Sequence, residues 1–501
     1  MFQGTSSNAG KTLTVAAVCN ILSRRGYRVT PFKSQNMSLN SYTTIDNEEM
    51  SIAQVMQAEA AGIEPDCNMN PILLKPKGEF LSQVIVQGKP AGDMRFDDYQ
   101  DNFREEALVA INDSLNKLKD DYDIVILEGA GSPAEINMYD KDLANMLMAR
   151  ITNADVILVA DIDQGGVFAS IVGTYYLIPE EDRRRIKAII INKFRGNPDV
   201  LKSGIDKVEE ITGIPIIGIM PFDETLNLPE EDSASLTTHQ FSENEKITIG
   251  TLRLPKIANF TDIDPLDYES DVGIKLVSIY EDFEGLDALI IPGTRNTVDD
   301  IEELKKSGAF DKIKALAKEI PIIGICGGYQ MLSKEILDPK FTESEHGSVE
   351  GLGLIDAVTK FGEIKKVVKQ SEGTIISNSE IGFKEGTTVT GYELHEAITI
   401  LGKDAEPLIK ITKGHGNDPS CEFDGAISGN VCGTYFHGIF HNYEFRRLFT
   451  DYLRIKKGLE PLGLTGDEFK ESKRVNYNQL GDLFLANVDM SFIDKLLEDQ
   501  D

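Results

Sequence analysis

Long apolar runs are missing from this 501-residue sequence: no stretch stays apolar for the roughly 20 residues that a bilayer-crossing helix needs. Cysteine is scarce, and the five present (Cys19, Cys67, Cys326, Cys421, Cys432) form no CxxC pair. The start carries no basic segment leading into an apolar one. These absences read as a cytoplasmic protein with reduced thiols. Positive charge is also in short supply. Lys plus Arg total 51 against 82 Asp plus Glu, a formal net charge of -31. Such a surface repels a polyphosphate backbone, so nucleic acid is not expected as a partner. An anionic small substrate meets the same repulsion and needs a locally basic site.

What is present is an ordinary globular composition, 41% hydrophobic and 27% charged, in a chain too long for one core. Up to about Pro221, short β-rich runs ("YRVTPFK", "DIVILEGAG", "DVILVADID", "IKAIIINKF", "IPIIGIMP") alternate with helical stretches. That alternation predicts βαβ units and a mainly parallel sheet, with functional residues just past the strand ends. A polar, acidic stretch over 231–246 reads as a linker, ending a first domain at residue 230. A second series runs through "ITIGTLRLP", "IKLVSIY", "LDALIIPGT", "IPIIGICGGYQML", "GYELHEAITI" and "NVCGTYFHGIF", a second α/β domain over 247–447. Residues 448–501 read as a helical extension.

"GTSSNAGKT" at residues 4–12 follows a very short strand, "MFQ", and precedes an apolar helix. Backbone N–H groups of the loop, which includes Thr5, Ser6, Asn8 and Gly10, can cradle phosphates at the positive end of a helix dipole. Lys11 would reach the outer phosphates, and the Thr12 hydroxyl would hold a magnesium ion. Glu128 ends the strand in "YDIVILEGAG" and is the acid expected to share that metal. Asp161 and Asp163 in "VADIDQGG" stand at another strand end, either as substrate or metal contacts or as solvated carboxylates. The two glycines of the loop are one residue further apart than in the usual G-x-x-x-x-G-K-[ST] pattern. The shortness of "MFQ" implies either a truncated start or a weak sheet edge. The helix "SIAQVMQAEAAG" offers Gln54 and Glu59, but no Asp, to a metal.

"GICGGYQML" at 324–332 places Cys326 between glycines at a strand-to-helix elbow, where the helix N-terminus favours the thiolate. A cysteine nucleophile needs a base, and His437 follows the strand "VCGTYF". His441 stands four residues on, but no Glu lies between them and Gly438 weakens a helix, so zinc is a poor reading.

The N-terminal loop resembles that of the dethiobiotin synthetase-like ATPases, which share the longer glycine spacing. The Cys326 and His437 segments resemble class I glutamine amidotransferase domains. By that resemblance Gln330 helps hold glutamine, and Gly293 and Thr294 of "PGTRNT", with the Gly327 N–H, form the oxyanion hole. That family usually has a Glu two residues after the histidine, and this chain has Ile439. Glu393 and His395 in "GYELHE" are candidates to orient His437 in its place. Ten stretches in order across both domains, among them "FKSQNMSLNS", "LEGAGSPAEIN" and "PKIANFTDIDPL", are similar to the cobyrinic and cobyric acid amidotransferases of cobalamin biosynthesis, with the cobyric branch favoured.

The resemblance implies ATP and Mg2+, glutamine as nitrogen donor, and a corrin substrate amidated on its b, d, e and g carboxylates through an acyl phosphate. Ammonia would need an enclosed path to that intermediate. Lys33, Lys75 and Lys77, with Asn36 and Asn40 as polar contacts, are the candidates for the local positive potential that such an anion requires, the other reading being solvated surface lysines. Competing readings are a partitioning-type ATPase, which the Cys326 elbow does not suit, and an amidotransferase of cell-wall precursors.

Overall fold

The computed structural model describes residues 1–78, 80–223, 226, 246–377 and 381–498. Its contacts divide the chain into two units. One comprises the described residues of Met1–Ser38, Met50–Glu231 and Ser472–Asp501, and the other those of Leu39–Glu49 and Asp232–Glu471.

The first unit is built on parallel strands in the spatial order Val29–Phe32, Ile124–Leu127, Phe2–Gly4, Val156–Asp161, Ile186–Phe194, Ile216–Pro221. The second and third of these meet through one bridge, Phe2 to Glu128, and the Gly129 N–H donates to the Phe2 carbonyl at 2.8 Å. Both sheet faces are covered, which is why Val156–Asp161 and Ile186–Phe194 carry unbroken apolar runs, residues 156–160 in the one and 188–191 in the other. The three-residue opening strand therefore lies inside the sheet, flanked on both sides. It is not the weak edge that its length suggested. Helix Lys11–Arg24 follows it and is buried from Lys11 through Leu22 except at Leu13.

The expected 448–501 extension is divided instead. Helix Tyr443–Lys456 buries Phe445, Phe449 and Leu453 in the core of the second unit. Further along, Tyr477, Leu480, Phe484, Val488, Met490 and Ile493 pack with Val18, Ile21 and Leu22 in the core of the first. The first unit is also interrupted upstream, because Leu39–Glu49 belongs to the second unit. Of the expected linker, 231–245 lies outside the described residues.

The second unit has a six-stranded sheet, ordered Val272–Ser278, Ile247–Arg253, Ala288–Ile291, Ile322–Ile325, Val431–Thr434, Ala426–Ser428, parallel but for the last pair. "GYELHE", read as one more step in the alternating series, lies in an antiparallel sheet, where Thr388–His395 pairs with Val367–Ile375. From there its backbone reaches the loop after Val431–Thr434: the His437 N–H donates to the Tyr392 carbonyl at 2.8 Å and the Tyr392 N–H to the His437 carbonyl at 3.1 Å.

Candidate functional site

Two clusters of chemistry-bearing residues form, one in each unit. In the first unit the chain leaves strand Phe2–Gly4 and turns through Asn8 at φ 58° and Gly10 at φ 95° into helix Lys11–Arg24. A Cβ on Gly10 would stand 1.9 Å from the Asn192 amide nitrogen, so both the conformation and the space demand glycine. Asn192, on strand Ile186–Phe194, donates to the Ala9 carbonyl at 3.0 Å and braces the loop. Lys11 Nζ folds back along the loop, donating to the carbonyls of Ser6 at 3.0 Å and Gly131 at 3.1 Å.

Behind Lys11, Glu128 gathers donors. Its Oε1 accepts from the Thr12 hydroxyl at 3.0 Å and from Lys33 Nζ at 2.8 Å, and its Oε2 accepts from Gln57 Nε2 at 2.5 Å. Gln57 also donates to the Thr12 carbonyl at 3.2 Å. Thr12 Oγ1 and Glu128 Oε1 are two hard oxygens, 3.0 Å apart, at the foot of a phosphate loop. Neighbouring ligands of an octahedral magnesium ion, each about 2.1 Å from the metal, are separated by about 3 Å. The pair therefore fits magnesium, which would take the place of the Lys33 or Thr12 contact on Oε1. Of the residues weighed on helix Ile52–Ala61, Gln54 is buried but bonds Asn36 and Gln57, while Glu59 pairs with Lys473 and Tyr477. The helix reaches the acid through Gln57, which the sequence reading passed over.

Other candidates of the first unit are placed differently from expectation. Lys33 is buried against Glu128, not solvated, and Lys75 is buried as well. Lys77 pairs with Asp93 at 2.7 Å. Asn36 is buried and donates to Ser51 Oγ at 2.8 Å. Asp161 and Asp163 stand at their strand end as expected, where they pair with Lys193 at 2.9 Å and Arg195 at 3.1 Å. Asn40, expected beside the other substrate contacts, is fully buried in the second unit.

In the second unit Cys326 sits between strand Ile322–Ile325 and helix Gly327–Leu332 at φ 50°, ψ −105°, a strained backbone for a residue with a side chain. Gly328 allows it: a Cβ there would lie 1.9 Å from the Ile291 carbonyl. Gly327 abuts the "PGTRNT" loop, since a Cβ on it would fall 2.9 Å from the Thr294 N. The loop is pinned by the Thr294 hydroxyl oxygen, which lies 2.5 Å from Asp300 Oδ2 and 3.0 Å from the Lys256 carbonyl. On the other side, a Cβ on Gly293 would approach His437 Cε1 to 3.1 Å. Cys326, His437, Gly293, Thr294 and Gly327 are thus brought together. Gln330 lies one turn into the helix, where its Oε1 accepts from the Thr297 hydroxyl at 2.6 Å.

His437 is oriented by Asp262. Its Nδ1 is 2.7 Å from Asp262 Oδ2, and Asp262 Oδ1 accepts from the Gly438 N–H at 2.6 Å. Burial pulls the imidazole's pKa down, but the Asp262 carboxylate and the Cys326 sulfur, each also hydrogen-bonded to the ring, push it up to about 10 from 6.5. The ring therefore holds its proton between the Asp262 carboxylate and the Cys326 sulfur. Glu393 and His395, the candidates for this role, face elsewhere: they pair with each other at 3.0 Å, and Glu393 also accepts from Ser371 and the backbone of His415 and Gly416. Glu393, His395 and His415 form the metal-type cluster found among the described residues, with every carboxylate oxygen already supplied with donors. His441 packs edge-on against Phe469 and takes no part in it. Asp262 comes from the 3-10 turn Phe260–Ile263, and the surrounding stretch, "ANFTDIDPLD", contains three acids and no local mark of which one is used.

The comparisons with known proteins agree with this geometry. Residues 1–236 match the family described as the CobQ/CobB/MinD/ParA nucleotide binding domain, and residues 248–445 the CobB/CobQ-like glutamine amidotransferase domain. A protein of Methanosphaera stadtmanae named "Probable cobyric acid synthase" is 79% identical over 100% of this chain and 99% of its own. One of the same name from Methanothermobacter thermautotrophicus is 57% identical over 99% of each chain. A Clostridium botulinum protein named "Cobyric acid synthase" is 44% identical over 98% of each. Among the described residues no helix is long and apolar enough to cross a membrane.

Proposed function

The chain belongs to the cobyric acid synthase family, a family of glutamine amidotransferase ligases with a nucleotide-binding domain, and from that premise we propose the chemistry of its two sites. The substrate is a corrin, adenosylcobyrinic acid a,c-diamide, amidated on its b, d, e and g carboxylates. An unactivated carboxylate does not condense with ammonia in water, because the leaving group would be oxide. Phosphorylation from ATP in the first unit converts that leaving group to phosphate. Lys11 exchanges its loop carbonyls for the transferred phosphoryl oxygens and stabilises the charge that builds there. A magnesium ion held by Thr12 and Glu128 would neutralise the phosphate oxygens.

In the second unit the Cys326 thiolate attacks the side-chain amide carbon of glutamine. The oxyanion is received by backbone N–H groups of Gly327 and the Gly293–Thr294 loop. His437, protonated and held by Asp262, gives its proton to the departing nitrogen, which leaves as ammonia. The same ring, now neutral, takes a proton from the water that hydrolyses the thioester, releasing glutamate and restoring the ion pair. Ammonia then attacks the acyl phosphate, forming the amide and expelling phosphate.

One observation carries the reading: a cysteine in a strained elbow, beside a histidine that an aspartate pins. The MinD/ParA part of the nucleotide-domain description belongs to positioning ATPases, but a second unit built this way has no use in such a protein. The test is incubation of the protein with ATP, magnesium and the corrin a,c-diamide, with glutamine or ammonium supplied. The expected products are corrin amides, ADP and phosphate from either donor. Absence of corrin turnover with both would exclude the substrate, whereas glutamine hydrolysis alone would survive that result.

A further inference from the structure

Residues Leu39–Glu49 leave the nucleotide unit in sequence and fold as part of the other one. The excursion is anchored at its exit and return. Asn36 donates to Ser51 Oγ, and Ser51 caps helix Ile52–Ala61 by accepting from the Ala53 N–H at 3.3 Å. Between those points a tight turn closes on itself, with the Thr44 N–H donating to the Glu48 carbonyl at 2.8 Å and Asn47 at φ 61°.

The segment is bound to the two elements that hold the catalytic imidazole. Two hydrogen bonds tie Asn259 to the segment: the Asn259 N–H donates to Asn40 Oδ1 at 2.8 Å, and the Ser41 N–H donates to Asn259 Oδ1 at 2.8 Å. Asn259, in the left-handed region at φ 53°, immediately precedes the turn Phe260–Ile263 that presents Asp262, and its carbonyl accepts from the Asp262 N–H at 3.3 Å. On the other side the Tyr42 ring meets Tyr392 edge-on at 4.9 Å, and Tyr392 stacks on His437 at 5.2 Å and 21°. The Tyr392 hydroxyl donates to the Ser41 carbonyl at 3.4 Å. A buried pair fixes the base of the segment, with Glu49 2.6 Å from Lys366 and accepting from the Ser41 hydroxyl at 2.8 Å. Further along, the Gln370 N–H donates to Asn47 Oδ1 at 2.9 Å.

A tyrosine stacked on an imidazole and an asparagine at the start of the turn that carries its carboxylate together fix where that ring can lie. Small displacements of a general acid are expensive, a misplacement of 1 Å costing up to about a hundredfold in rate. We propose that Asn40 and Tyr42 are positioning residues for glutamine hydrolysis: Asn40 sets the turn that carries Asp262, and Tyr42 holds Tyr392 against His437. Neither touches glutamine. Glutaminase competence then depends on a segment whose two ends are anchored in the nucleotide unit. The inference rests on the reading of Cys326 and His437 as nucleophile and acid. The groups facing His437 are Asp262, Cys326 and Tyr392, so displacement of the segment alters the ring's environment through two of the three.

The test compares Asn40→Ala, Tyr42→Ala and Tyr42→Phe with wild type in the full chain. Three readouts are needed: glutaminase kcat, ammonium-dependent corrin amidation, and the pH dependence of Cys326 alkylation by iodoacetamide. The two alanine variants are expected to lose between about tenfold and a hundredfold in glutaminase kcat. They should keep ammonium-dependent amidation and shift the alkylation profile. Tyr42→Phe, which keeps the ring, should restore both glutaminase rate and profile. Wild-type kcat and an unshifted profile in the alanine variants would overturn the proposal, as would equal loss of glutamine and ammonium use, which marks a general folding defect. A wild type that hydrolyses no glutamine would instead overturn the underlying reading of Cys326.

Discussion

The two sites treat their charged groups in opposite ways. In the nucleotide unit Lys11 rests on two backbone carbonyls, and Glu128 accepts from Thr12, Lys33 and Gln57. Each group has partners that a phosphate or a cation would have to replace. In the amidotransferase unit the reactive groups are already arranged for reaction: Cys326 is in a strained backbone, and His437 is charged between Asp262 and the sulfur. The first site becomes active by exchanging contacts, and the second is preorganised. A site that handles a multiply charged ligand gains from neutralised resting contacts in a protein of net charge -31. A site for neutral glutamine has no such need.

The contrast breaks most completely at Lys11. Lys11→Ala should abolish amidation from glutamine and from ammonium alike, by about a thousandfold or more, and leave glutamine hydrolysis in place; retained synthesis would remove the phosphate loop from the chemistry.

Asp262→Asn attacks the preorganised side. Glutaminase kcat should fall by about a hundredfold or more, since the variant keeps the shape but not the charge that raises His437. The raised pKa, from 6.5 to about 10, also makes folding pH-dependent. Its contribution is complete below pH 6.5 and is lost as pH rises through 10. In Asp262→Asn the alkaline limb of the glutaminase profile should move to lower pH, and the alkaline loss of thermal stability should flatten. A wild-type-like limb would mean that Asp262 does not set the ring's charge.

A stability measurement sharpens the other half. Glu128→Gln leaves the Lys33 ammonium buried without its carboxylate, a loss of about 3–5 kcal/mol in such pairs. Denaturant melts should show that loss, and a double variant, Glu128→Gln with Lys33→Met, should recover much of it. The smallest effect concerns the corrin. Lys75→Ala and Lys77→Ala together should raise the corrin KM a few-fold and leave glutaminase turnover intact, and Lys77→Ala alone should change stability little, since Lys77 pairs with a half-exposed Asp93. An unchanged KM would remove these lysines from the substrate site.

Local patterns were legible in the sequence. The strand runs, the phosphate loop, Glu128 at its strand end and the cysteine elbow each announce themselves within about ten residues, because backbone geometry and burial act over that range. What required the fold was long-range pairing. Asp262 lies 175 residues from His437, and only the tertiary structure distinguishes it from Asp264 and Asp267. The apolar face of the helix bearing Tyr477, Leu480 and Phe484 shows that it covers something, but not that it covers helix Lys11–Arg24. Asn40, in a polar stretch beside Lys33 and Asn36, looked like a third substrate contact. A one-dimensional reading has no means of placing residues 39–49 in the other unit.

The central claim is that nitrogen release and carboxyl activation are separate, each in its own unit. Glutamine- and ammonium-dependent corrin amidation by Cys326→Ser, set beside wild type, tests it most directly. Amidation from glutamine should disappear while amidation from ammonium continues at the wild-type rate. Synthesis that persists with glutamine, or fails with both donors, would contradict that division.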